Sequence, residues 1–143
     1  MADLPQITPM ISYEEPGAAA DWLVRAFGFE EEFRFTDDDG RVSHVELRLG
    51  DGAVMLGCPS PEYRSPRRHA EECEQAAKWL ESPYVVDGVH VYVDDVDQHY
   101  KRALAAGARP LSEPADAPHG DRLYRVEDVE GHRWMFASRL SAA

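Results

Sequence analysis

The chain has 143 residues, is 43% hydrophobic and 10% aromatic, and carries a formal net charge of −12. That length suits one domain, or two small halves sharing a core. The acid excess argues against a nucleic-acid surface, which needs clustered Lys and Arg.

No apolar run approaches a membrane span, and the opening MADLPQITPM lacks a signal-peptide layout, so a cytoplasmic protein is expected. Cys58 and Cys73 are too few for a disulfide framework and read as reduced thiols.

In chain order, residues 7–13 form a short strand-like run, and Glu15-Pro16-Gly17 opens a helix with proline in its first turn. Ala19, Trp22, Leu23, Ala26 and Phe27 then recur at helical spacing, and Gly28 stops the helix. Three strands are expected at EEEFRFT, SHVELRLG and AVMLGC, joined through DDDGR and GDG, both hairpin signals.

Residues 88–137 repeat this order. VHVYV is a strand, and Asp95 with Gln98 reads as a capping box for a helix ending at Gly107. ARPLSE, RLYRVE and HRWMFA follow as strands, the last two joined through DVEG. The offsets are nearly constant: 93 − 13 = 80 for Tyr13 and Val93, and 107 − 28 = 79 for Gly28 and Gly107. Matching Gly52 to Gly131 also gives 131 − 52 = 79.

The expected fold is therefore α+β. Two βαβββ modules, 7–57 and 88–137, form a single domain 1–143, packed together to bury their apolar sheet and helix faces. Between them, 58–87 is a spacer whose SPRRHAEECEQAAKWLES reads as one solvated helix. Ser65 is its candidate cap, Ala70, Cys73, Ala77 and Leu80 turn inward, and Arg67-Arg68 lie on the wet face. A lid or a dimer contact is the alternative role.

FGFE after the first helix, VYVDDVD before the second and the closing DVEGHRWMFAS resemble the vicinal oxygen chelate superfamily. That group includes glyoxalase I, bleomycin-resistance proteins and extradiol dioxygenases. The resemblance spans about residues 7–137 and implies a pair of modules whose curved mixed sheets form a cavity, with helices outside, often in homodimers. It also implies metal ligands on the first and last strand of each module. Counting from the motifs places those positions at Thr8, Leu56, Gly88 and Met135. None offers the carboxylate, imidazole or thiolate that a divalent cation wants, so no metal and no cofactor is expected.

Side chains at i and i+2 share a sheet face. His90 and Tyr92 then face the cavity, as do His44, Glu46 and Arg48, Leu123 and Arg125, Arg133, Met10, Leu56 and Met135. Water or mutual pairing is the ordinary fate of Glu46 and Arg48 near a rim, and a satisfied core histidine is the ordinary reading of His90. A rebuilt metal site from His44, Glu46 and His90 is a further alternative. Asp94, Asp95 and Asp97 are accounted for by helix capping. His119 lies in a turn at the cavity mouth, and His132 hydrogen-bonds at a sheet end.

The expectation is a metal-free, homodimeric small-molecule-binding protein, such as one that sequesters an antibiotic. Its ligand-binding residues are His90, Tyr92, His44, Glu46, Arg125 and Met135. The rival is an enzyme of lyase or dioxygenase type, with relocated metal ligands or with His90 or Tyr92 as acid/base.

Overall fold

The computed structural model describes residues 3–82 and 87–140. Residues 83–86, the end of the expected spacer and the start of VDGVH, lie outside the described residues. The chain divides into two compact units that meet between Ser65 and Pro66. The expected βαβββ order is observed in each module, except that one edge strand of the second is split and the spacer holds two helices. There are two mixed sheets and, among the described residues, four helices.

Unit one runs β1 (Met10–Ser12), α1 (Pro16–Phe27), β2 (Glu30–Thr36), β3 (Val42–Leu49) and β4 (Gly52–Gly57). The sheet order is β1-β4-β3-β2, with β1 parallel to β4 and the other pairs antiparallel. Pro16 occupies the first turn of α1, where its missing N–H costs no helical hydrogen bond. Gly28 ends the helix at φ 87°, its N–H donating to the Val24 carbonyl. The helix buries Ala19, Leu23, Ala26 and Phe27, and the sheet buries Val45, Leu47, Val54 and Leu56. Each fully buried Leu or Val contributes about 1.5–3 kcal/mol relative to exposure.

Unit two begins with α2 (Pro66–Glu72) and α3 (Glu74–Trp79), followed by β5 (Val89–Tyr92) and α4 (Val96–Ala105). Then come β6 (Arg109–Pro110), β7 (Ala115–Asp116), β8 (Asp121–Glu127) and β9 (Arg133–Arg139). The sheet order is β5-β9-β8-β6, and β7 also pairs with β8. β5 lies parallel to β9. The edge strand next to β8 is split into two short pieces because Pro110 and Pro114 cannot donate to a ladder. Asp95 caps α4 as expected, its carboxylate accepting the Gln98 N–H at 3.1 Å.

The spacer is not one helix. Cys73 adopts an extended conformation, φ −145° and ψ 117°, and divides it into α2 and α3. The break rotates the inward face: Ala76 is buried and Ala77 is exposed. Nor is Arg67 a solvated charge. Its guanidinium donates to the carbonyls of Asp128 (2.9 Å) and Val129 (3.0 Å), and its N–H donates to Glu130 O at 3.1 Å. Arg67 thereby pins α2 to the β8–β9 hairpin.

Asp128 organises that hairpin. One carboxylate oxygen accepts the N–H groups of Glu130 and His132 at 3.0 Å. The other accepts the Trp134 indole N–H at 3.0 Å, with Asp128 only 1% exposed. The closing DVEGHRW stretch is thus a hairpin whose buried acid holds both turn and core.

Candidate functional site

Each sheet turns one face to its helix and carries rows of side chains on the other. In unit one, Met10 pairs with Met55, Met55 with Glu46, and Glu46 with Phe33. This row crosses all four strands and holds one carboxylate among apolar side chains. The next row is Ser12, Gly57, His44 and Phe35. Met10 and Phe35 are exposed, at 79% and 52%.

Glu46 itself is only 4% exposed. Its Oε2 lies 2.9 Å from His44 Nε2, while its buried Oε1 has no hydrogen-bond partner among the described residues. Leaving a buried acceptor unsatisfied costs about 1–3 kcal/mol. The His44 ring also lies 6.2 Å from that of Phe33. Pairing between Glu46 and Arg48 does not occur, because Arg48 Nε donates to Glu32 at 3.0 Å across the β2–β3 ladder. Glu46 is therefore neither solvated nor paired with Arg48.

In unit two, His90 pairs with Met135 and Met135 with Arg125. The adjacent row is Tyr92, Ala137, Leu123 and Ala115. His90 is exposed rather than a core histidine, with its ring edge-on to Tyr92 at 4.8 Å. The Tyr92 hydroxyl donates to Asp121 Oδ2 at 2.8 Å, and the Arg139 guanidinium sits 4.2 Å from the Tyr92 ring centre. His119 Nε2 approaches the same Asp121 oxygen at 3.3 Å. The bond to Asp121, followed by desolvation, raises the Tyr92 pKa above the ordinary tyrosine value.

Asp121 is 5% exposed and is not among the residues read from the sequence as site candidates. The signal was its parity: 121, 123 and 125 share a face once β8 starts at Asp121. Arg133 lies on the expected face but is committed to structure. It donates to Glu127 Oε2 at 2.9 Å and to the Leu80 carbonyl at 2.6 Å.

One register was misplaced. Leu56 pairs with Val45 and is fully buried, so it faces α1 and not the open face. Met55 takes that place. Met10–Met55 in unit one matches His90–Met135 in unit two with offsets 90 − 10 = 80 and 135 − 55 = 80.

The family model described as the Glyoxalase/Bleomycin resistance protein/Dioxygenase superfamily matches residues 6–136. The chain belongs to that superfamily. Its solved relatives include TioX from Micromonospora sp. ML1, 34% identical with a TM-score of 0.68 over 94% of this chain and 99% of that one. TnmS3, an antibiotic binding protein from Streptomyces sp. CB03234, shares the fold at 17% identity and TM-score 0.60, covering 96% of this chain and 99% of its own. An uncharacterized protein of Mycobacterium bovis is 30% identical over 134 residues, 91% of this chain and 80% of that protein.

Metal-dependent members of the superfamily would need ligands at positions that here, with the register corrected, hold Thr8, Met55, Gly88 and Met135. Thr8 Oγ1 donates to the Pro5 carbonyl at 2.9 Å, Gly88 has no side chain, and the two methionines offer only thioethers. That donor set does not fit a hard or borderline divalent cation. Among the described residues, no group of three His, Cys, Asp or Glu side chains is arranged to hold a metal ion. Nor is any described helix long and apolar enough to cross a membrane.

Proposed function

We propose that this superfamily member binds a small organic molecule without a metal, on sheet faces turned away from the helices. His90, Tyr92, Arg125 and Met135 are the contacts offered by unit two, and His44 and Glu46 those offered by unit one. The observation that carries this reading is composition. Exposed Met10, Phe35 and Tyr92 stand beside a few oriented polar groups, the mixture that ligand sites use. TnmS3, with the same fold, is an antibiotic-binding protein, which supports an antibiotic as ligand.

Exposed Ile7, Met10 and Phe35 also favour a homodimer, the commonest closed assembly. The free thiols of Cys58 and Cys73 suit a reducing cytoplasm. Light scattering that finds only monomer at micromolar concentration removes the dimer.

A thermal-shift and calorimetric panel of bleomycin and planar aromatic antibiotics tests the binding reading. Saturable stabilisation by at least one compound is expected. Failure of every compound, together with turnover of a hemithioacetal or catechol, overturns it in favour of an enzyme.

One observation supports that second reading: the Tyr92–Asp121–His119 chain of polar contacts offers a metal-free proton path. Its mark would be turnover lost in Tyr92→Phe with ligand affinity retained.

A further inference from the structure

Glu46 is the one polar side chain of the Met10–Met55–Glu46–Phe33 row. An apolar residue would continue the row. The two nitrogen-bearing side chains of Arg48 and His44 on its own strand leave Oε1 alone: Arg48 is held by Glu32, and His44 approaches only Oε2. The carboxylate is nine-tenths buried, yet one of its oxygens has no donor.

A carboxylate oxygen can only accept a hydrogen bond. From this geometry we infer that the unit-one sheet face opens around Glu46 to recognise an apolar, ring-bearing ligand through a donor group, N–H or O–H, delivered to Oε1. That atom is closed to solvent in the empty protein. Phe33, Phe35 and Met55 supply the apolar surroundings, and His44 fixes the carboxylate from its other oxygen. The inference rests on the binding-module reading and adds the chemistry of the ligand. It also assigns Glu46 a cost in the empty protein that the bound donor removes, which is how a site rejects analogues lacking that donor.

The test is calorimetry of the full chain with three probes that share one ring system: naphthylmethylamine, naphthylmethanol and methylnaphthalene. The amine, the alcohol or both should bind about tenfold or more tightly than methylnaphthalene. A preference for the amine identifies a cationic donor, and equal binding of amine and alcohol identifies a neutral one.

In Glu46→Leu the advantage over methylnaphthalene should vanish while methylnaphthalene binding is kept, and the empty variant should melt at the same or a higher temperature than the parent. Glu46→Gln, nearly isosteric, should lose the amine preference about tenfold if the donor is cationic. Equal binding of all three probes, or discrimination that survives Glu46→Leu, overturns the inference and leaves the binding module standing. No binding by any probe overturns the inference, while the binding-module reading stands or falls with the antibiotic panel.

Discussion

The Tyr92 hydroxyl donates to the Asp121 carboxylate at 2.8 Å, across two strands of the unit-two sheet. Deprotonating Tyr92 would set a phenolate against a carboxylate, so the tyrosine is held in its neutral form. An ultraviolet titration should find Tyr92 and the buried Tyr124 ionising above the ordinary range, and Asp121→Asn should bring Tyr92 down while leaving Tyr124 raised. Because the folded value is raised, the stabilisation is complete below the ordinary tyrosine pKa and is lost as pH rises through the value in the folded protein. An Asp121→Asn titration that superimposes on the parent's would contradict the contact.

At the β8–β9 hairpin, Gly131 has φ 92°, and a Cβ there would lie 2.8 Å from the Arg67 backbone nitrogen. Gly131→Ala combines left-handed strain with a backbone clash and should cost about 1–3 kcal/mol. Asp128→Ala strands the buried Trp134 indole N–H and removes the two turn bonds, for about 3 kcal/mol. Urea unfolding of both variants checks these values. A change under 0.5 kcal/mol in either (about the size of an ordinary surface substitution) would mean the hairpin is not organised this way.

Asp97 forms a bidentate pair with Arg122, both contacts at 3.0 Å, and Arg122 also reaches Asp116 at 3.0 Å. Arg122 holds the Asp97 carboxyl below its ordinary value. A depressed carboxylate pKa contributes stability above the unfolded-state value and loses it as pH falls through the folded value. Arg122→Ala should therefore unfold more easily than the parent at neutral pH, and the two should converge in strong acid. The pair is exposed, so the neutral-pH difference should be small and shrink with salt. A gap that widens on acidification would contradict this.

Local chemistry was legible in the sequence, and matching between the modules was less so. The Asp95 cap, the glycine stop at Gly28 and the alternation along β3 and β8 depend on neighbours in the chain, and each appears as read. Leu56 was misassigned because the two terminal hairpins differ in length. Leu49 pairs with Gly52 around residues 50–51, whereas Glu127 pairs with Arg133 around residues 128–132. Counting from a turn glycine therefore slips by one residue, which flips the side chain to the other face.

The break at Cys73 and the docking of Arg67 on residues 128–130 depend on tertiary contacts, which helical periodicity does not encode. The unsatisfied Oε1 of Glu46 was invisible for the same reason. A sequence shows an acid on a strand face, but not which donors reach it.

Metal quantification and ligand calorimetry on one preparation, before and after exhaustive chelation, test the central claim most directly. With the tightest compound of the antibiotic panel, the dissociation constant should be unchanged and the metal content far below one ion per chain. Stoichiometric zinc, nickel, manganese or iron, with binding lost on chelation and restored by that ion, would contradict the account.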